Sequence, residues 1–101
     1  LSYDAIIIVQ KKGDKKHEKF STSPDIIVYY DDGEIDKVYP VGEKEAKESI
    51  ESWNQSLYSG DITKFEVVYD YRTGNKLFRR TETYTEYDAA PTVTEEKINK
   101  E

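Results

Sequence analysis

The sequence predicts an α+β protein, with a mainly antiparallel sheet of about five or six strands and one amphipathic helix packed on one face. Three observations lead to this prediction. Several segments are rich in β-branched and aromatic residues, as strands are. Glycine lies in most of the intervening turns, and one segment alone repeats its apolar residues at helical spacing.

The N-terminal part contains two predicted hairpins. Residues 3–11 form the first strand, and their β-branched run predicts a central position buried on both faces. Residues 16–22 return as an edge strand, because they carry little apolar content. Residues 25–31 and 34–39 form the second hairpin, in which Asp32-Gly33 predicts a tight type I′ turn.

The only predicted helix covers residues 43–58. Its apolar stripe consists of Ala46, Ile50, Trp53 and Leu57, spaced as one face of a helix requires. Acidic residues open the helix, where they favour its dipole, and Gly60 stands where a left-handed cap is expected. We expect Trp53 to be largely buried between helix and sheet.

The C-terminal part contains a third hairpin, with strands at residues 63–72 and 76–87 around a Gly74-Asn75 turn. The first of these strands alternates, which places Phe65, Val67, Tyr69 and Tyr71 on one face. Residues 88–101 lose this periodicity and are predicted to be a tail or linker. The expected domain therefore covers residues 1–87 in the order ββ-ββ-α-ββ.

The ββαββ order of residues 25–87 resembles the β-grasp arrangement used by small immunoglobulin-binding domains of bacterial surface proteins and by other adaptors. The resemblance is one of architecture, and no sequence motif accompanies it. It implies a β-grasp-like fold and leaves the function open, since one fold serves many functions.

Composition excludes several functions. One histidine (His17) and no cysteine give little material for a metal site or a nucleophile, so we expect no cofactor, no metal, no catalytic residue and no enzyme activity. A net charge of −6 argues against direct nucleic-acid binding. No apolar run has the length of a membrane span, so no membrane insertion is expected.

Tyrosine and arginine are the richest candidates for binding a protein partner, because both are enriched at interface hot spots. The chain has nine tyrosines. The face opposite the helix is expected to display residues of the C-terminal hairpin, and a one-residue change of register would exchange Arg79 for Arg80. The candidate partner-binding residues are Arg79, Arg80, Arg72, Val68 and Tyr84, with Lys15 and Lys16 from a basic loop.

Three functional hypotheses follow. The favoured one is a non-catalytic protein–protein interaction domain, expected to be a module of a larger exported or surface protein, which favours an extracytoplasmic location. The alternative is a small acidic inhibitor, from a phage or mobile element, that blocks a nucleic-acid-acting protein by presenting carboxylates. The weakest is a small carboxylate-dependent hydrolase, since glycosidase chemistry needs only two acids.

Overall fold

The computed structural model describes residues 3–12 and 23–100, which form one antiparallel six-stranded sheet and one helix. Neighbouring strands follow the order β1-β6-β5-β4-β2-β3. The α+β prediction is confirmed, whereas the β-grasp-like arrangement and the predicted strand order are not. The predicted strand at 16–22 lies outside the described residues. The elements are β1 (Tyr3–Lys12), β2 (Asp25–Tyr30), β3 (Ile35–Val38), α1 (Gly42–Ser59), β4 (Ile62–Thr73), β5 (Lys76–Tyr84) and β6 (Thr92–Lys100).

Strand β6 corrects the prediction of a tail or linker at residues 88–101. It lies between β1 and β5 and pairs with both. The alternation of buried and exposed residues along β6 is not visible as an alternation of apolar and polar residues, because charged Glu95 is buried on the same side of the strand as apolar Val93. Strand β1, predicted to be central, is consequently the outermost strand on its side among those described, with β6 as its neighbour.

The β2–β3 turn is one residue longer than predicted. Tyr30 donates its N–H to the carbonyl of Glu34 at 2.9 Å, and Gly33 donates to the carbonyl of Tyr30 at 3.1 Å. Gly33 has a φ of 91°, so this is a type I turn closed by a left-handed glycine rather than type I′. A two-residue turn at Asp32-Gly33 would pair Tyr30 with Ile35, whereas the longer turn places Tyr29 opposite Ile35.

The helix packs chiefly on β4 and defines what we call the helix face of the sheet. Ala46 and Ile50 are buried there against a core that includes Phe65, Val67 and Tyr69. Trp53 lies at the margin of this core, where its ring makes an edge contact with Tyr30 at a centroid distance of 6.4 Å. Most of the Trp53 side chain is buried, as expected, although Ile50 and not Trp53 holds the more deeply buried position of the two.

Gly60 ends the helix in the left-handed conformation that the sequence predicts. Its φ is 84°, and its N–H donates to the carbonyls of Ser56 and Leu57. An added Cβ would meet open space, so the cost of Gly60→Ala is backbone strain alone. We expect Gly60→Ala to lower the free energy of unfolding by about 1–2 kcal/mol in urea titration, and Gln55→Ala, on the exposed helix surface, to leave it nearly unchanged. Equal midpoints for both variants would contradict a left-handed Gly60.

Candidate functional site

The side of the sheet opposite the helix is called the open face here, because no described element packs on it. Directly paired residues of antiparallel strands share a face. Val68 of β4 lies opposite Thr81 of β5, and Asp70 lies opposite Arg79. All four side chains are partly buried by their neighbours. The open face is thus a surface of mixed aliphatic, hydroxyl and charged groups.

An ion pair lies on the open face between the Val68–Thr81 pair and the β4–β5 turn. The Nε of Arg79 donates to Oδ1 of Asp70 at 2.9 Å, and a second guanidinium nitrogen donates to Oδ2 at 3.4 Å. The Arg79 side chain is 43% exposed. Glu96 of β6 lies directly opposite Arg79 on its other side. Arg79 is therefore held by a carboxylate of its own sheet, and a carboxylate from a partner would compete with Asp70.

Tyr29 extends the open face towards β2. Its hydroxyl donates to Oε1 of Glu66 at 2.8 Å, and the ammonium of Lys64 lies 4.5 Å from its ring centroid. The hydrogen bond to Glu66, with smaller contributions from burial and from the charge of Glu66, raises the pKa of Tyr29 above its ordinary value. An aromatic ring fixed in this way offers a partner contact area without further loss of side-chain entropy.

The structure divides the residues that the sequence nominated for partner binding. Arg72, Val68 and Arg79 lie together on the open face, as the pairing of β4 with β5 requires. Arg80 and Tyr84 point to the helix face and are buried. Lys15 and Lys16 lie outside the described residues. The predicted two-residue Gly74-Asn75 turn is confirmed, which settles that Arg79 and not Arg80 is on the open face.

Buried charges on the helix face were not foreseen from the sequence. Glu82 is 0% exposed and Arg80 is 6% exposed. Glu82 accepts hydrogen bonds from Nε of Arg80 at 2.8 Å, from the Tyr69 hydroxyl at 2.9 Å and from the Tyr84 hydroxyl at 3.0 Å. A buried charge is stable only when it is paired and hydrogen-bonded in this way.

The network continues into β6 through Glu95. A guanidinium nitrogen of Arg80 lies 3.7 Å from Oε2 of Glu95, and the Tyr71 hydroxyl donates to the same oxygen. Burial opposes the charge of Arg80, but its hydrogen bond to Glu82 and the surrounding negative charge raise its pKa above the ordinary value. The sequence does contain a signal for this network. Arg80 and Glu82 alternate along β5, and Tyr69 lies across the hairpin from Arg80.

Glu82, the acid at the centre of the buried network, has no exposed surface. Two carboxylates near a tyrosine and an arginine are material for acid–base chemistry, but a reacting atom must come within hydrogen-bond distance of them. Glu82 offers no such contact in this arrangement, and Glu95 exposes only a small part of its side chain. Within residues 3–12 and 23–100, no group of three or more His, Cys, Asp or Glu residues is placed to hold a metal ion.

The buried hydroxyl of Tyr84 predicts a loss of stability at alkaline pH. Burial, followed by the charge of Glu82 and the hydrogen bond to it, raises the pKa of Tyr84 far above its ordinary value of 10.0. The unfolded chain therefore releases this proton at a lower pH than the folded chain does. The stability that Tyr84 contributes is present below about pH 10 and is lost as the pH rises beyond that value.

We expect the free energy of unfolding in urea to fall more steeply above about pH 10 in the wild type than in Tyr84→Phe, which has no proton to lose. Each protein is compared with itself at pH 7, since Tyr84→Phe also loses a hydrogen bond to Glu82. Parallel pH profiles for the two proteins would show that Tyr84 titrates alike in the folded and unfolded states.

The edge strand β3 has features that disfavour the addition of a further strand. It is four residues long, and the Lys37 N–H donates to Oδ1 of Asp36 at 3.1 Å. Pro40 follows the strand. Short length, charge and proline are the features by which edge strands avoid pairing with other chains. The open face, rather than this edge, is the candidate functional site.

Comparison with protein-family models, with curated proteins and with solved structures gives no match. None of the helices in the described part of the chain has the length and apolar character needed to cross a membrane. The functional argument therefore rests on the open face itself.

Proposed function

We propose that this protein is a non-catalytic protein-binding domain that contacts its partner through the open face of the sheet. The observation that carries the proposal is the one-sided cover of the sheet by α1. The helix face holds the apolar core and the buried Glu82 network. The open face holds side chains that are partly in contact with water and well placed for a partner.

The composition of the open face supports this proposal. Val68 and Thr81 lie at its centre, and the Asp70–Arg79 pair and Tyr29 lie around them. Apolar contact at the centre with polar and charged groups at the rim is the usual organisation of a protein interface. The side chains of Tyr29 and of the Asp70–Arg79 pair are also fixed by hydrogen bonds, which reduces the entropy lost on binding.

We propose Arg79 as a partner contact. A carboxylate of the partner would compete with Asp70 for its guanidinium. We expect Arg79→Ala to weaken partner binding by about 1 kcal/mol or more, the size of a minor hot spot. The free energy of unfolding should change by less than about 1 kcal/mol, because exposed ion pairs contribute little. Calorimetric titration with the purified partner and urea unfolding measure the two quantities, and unchanged affinity would place the contact elsewhere on the face.

Site-specific photo-crosslinking tests the proposal. One variant carries a photoreactive benzoylphenylalanine in place of Thr81, on the open face, and a matched variant carries it in place of Gln55, on the exposed surface of the helix. We expect the first variant to form a covalent adduct with one protein of the native host, and that protein, once purified, to bind the wild type saturably.

The variant labelled at Gln55 distinguishes the proposed binding domain from the alternative, a small acidic inhibitor. An inhibitor that presents carboxylates would use the exposed acids of α1, among them Glu48 and Glu51, rather than the open face. An adduct formed at Gln55 and not at Thr81 would therefore favour the inhibitor and contradict the open face as the interface.

A further inference from the structure

The two outermost strands of the described sheet differ in length and composition. β3 has four residues and is followed by Pro40, whereas β1 has ten residues, Tyr3–Lys12, and contains no proline. Among the described residues, only those of β6 pair with β1. A strand can pair on both of its sides, so the second side of β1 is the place in the described sheet where a further strand can be added.

The sequence of β1 is typical of an interior strand. Residues 5–9 are five consecutive apolar residues, of which four are β-branched. Such uninterrupted runs occur in strands that are covered on both faces and lie inside a sheet. At an edge, the same run would promote uncontrolled association with other chains. A strand paired to the second side of β1 would give it the central position that its sequence predicts.

A β-bulge changes which residues of β1 share a face. Ile7 pairs with Glu96 and Val9 pairs with Glu95, so Ile8 is an extra residue between two consecutive pairs. Neighbouring residues of β6 lie on opposite faces. The alternation of faces along β1 is therefore reversed after the bulge.

The bulge brings two opposite charges of β1 to the same face. Asp4 pairs with Asn99, and Lys11 pairs with Val93. Val93 is buried on the helix face, and Asn99 follows it by an even number of residues along β6. Asp4 and Lys11 consequently both take positions on the helix face. Without the bulge, their odd separation in the sequence would place them on opposite faces.

We propose that β1 pairs with β1 of a second copy of this chain, antiparallel and about a two-fold axis perpendicular to the sheet. In this register, Asp4 of each copy lies opposite Lys11 of the other, and the apolar residues of both copies meet around the axis. Opposite charges at directly paired positions stabilise a sheet. Parallel pairing in register would set each lysine against a lysine, so the charges favour a closed dimer over an open stack.

The proposed dimer has one sheet that continues through both copies. A two-fold axis perpendicular to the sheet keeps both helices on one side and both open faces on the other. The open faces of the two copies therefore adjoin each other. The proposal is independent of any partner protein, and its test needs the full chain alone.

Sedimentation equilibrium measures the dissociation constant of the dimer. We expect Lys11→Glu to raise it at least about tenfold, because each dimer would hold two like-charged pairs in place of two opposite ones. Lys12→Glu is the matched control. Lys12 pairs with Thr92 on the open face, away from Asp4 of the other copy, so the same change of charge should raise the constant by less than about threefold.

Exchanging the two charges separates a contact between copies from an effect within one copy. The double variant Asp4→Lys with Lys11→Glu again places opposite charges at the paired positions, and its dissociation constant should return to within about threefold of the wild type. Asp4 and Lys11 of one copy are about 20 Å apart along the strand. A recovery can therefore arise only from pairing between copies.

Disulfide formation reports the register directly, because the chain has no cysteine of its own. Ala5 of one copy lies opposite Gln10 of the other in the proposed register. Directly opposed Cα atoms of antiparallel strands are about 4.5–5.5 Å apart, which a disulfide can span. An oxidised mixture of Ala5→Cys and Gln10→Cys should form the mixed disulfide, identified by its intact mass, whereas either variant alone should remain largely uncrosslinked.

Far-ultraviolet circular dichroism first establishes that each variant is folded, and the disulfide test stands even if a charge variant is not. Sedimentation of the wild type as a monomer at millimolar concentration would overturn the proposal. Equal effects of Lys11→Glu and Lys12→Glu, or no recovery in the double variant, would do so as well. Crosslinking of Ala5→Cys alone as fully as in the mixture would show that a different register joins the two copies.

Discussion

Replacing Arg80 by alanine is expected to lower the free energy of unfolding by about 3–5 kcal/mol, the cost of leaving a buried charge without its partner. Glu82 has no exposed surface through which water could replace the guanidinium. Arg80 also faces Glu95, so its removal leaves two carboxylates close together without the cation between them. A loss of this size is a large share of the roughly 5–15 kcal/mol that stabilises a typical domain.

The neighbouring arginine provides the control for this measurement. Arg79→Ala removes the same side chain one position away, where it is partly exposed and pairs with Asp70 on the open face. Urea unfolding should therefore separate the two variants by more than about 2 kcal/mol. If Arg79→Ala proved the more damaging change, the pairing of β4 with β5 would be shifted by one residue, and the helix and open faces would exchange their side chains.

Phe65→Ala is the second substitution with a large expected effect, at about 3–5 kcal/mol of unfolding free energy. Phe65 is fully buried, and its ring stacks on Tyr84 at a centroid distance of 4.7 Å and an interplanar angle of 9°. Truncation therefore leaves a cavity in the centre of the core and also removes support from a tyrosine that bonds Glu82.

Trp53→Ala should cost less, about 2–3 kcal/mol, because Trp53 lies at the margin of the core and keeps some contact with water in the folded protein. Denaturant unfolding of the two variants gives the comparison directly. A Trp53→Ala loss equal to that of Phe65→Ala would mean that the tryptophan, and not the Ile50 position, anchors the helix.

The sequence predicts those elements that bury only apolar residues and expose polar ones. The helix, its Gly60 cap and the alternation of β4 follow from ordinary spacing and turn chemistry, and the structure has them. The turn after Tyr30 was misread because Asp-Gly serves both two-residue and three-residue loops, which differ only in backbone geometry.

The elements that bury charge were not predictable from apolar periodicity. β6 was taken for a tail because Glu95 interrupts the alternation that starts at Val93. In the middle of β5, the charges of Arg80 and Glu82 give no apolar alternation that would indicate a buried face. Their burial depends on each other and on tyrosines of β4, so it is a property of the assembled sheet. On the open face, the Asp70–Arg79 pair likewise became visible only once the strand register was known.

The central claim, that the open face of the sheet binds the partner, is tested most directly by calorimetric titration of the crosslinked and purified partner against two lysine variants. Val68→Lys places a charge at the centre of the open face, and Gln55→Lys adds the same charge to the exposed helix surface. Thermal unfolding first establishes that both variants are folded. We predict that Val68→Lys weakens binding at least about tenfold and that Gln55→Lys binds as the wild type does. Wild-type affinity for Val68→Lys, with a loss in Gln55→Lys, would contradict the claim and place the interface on the helix.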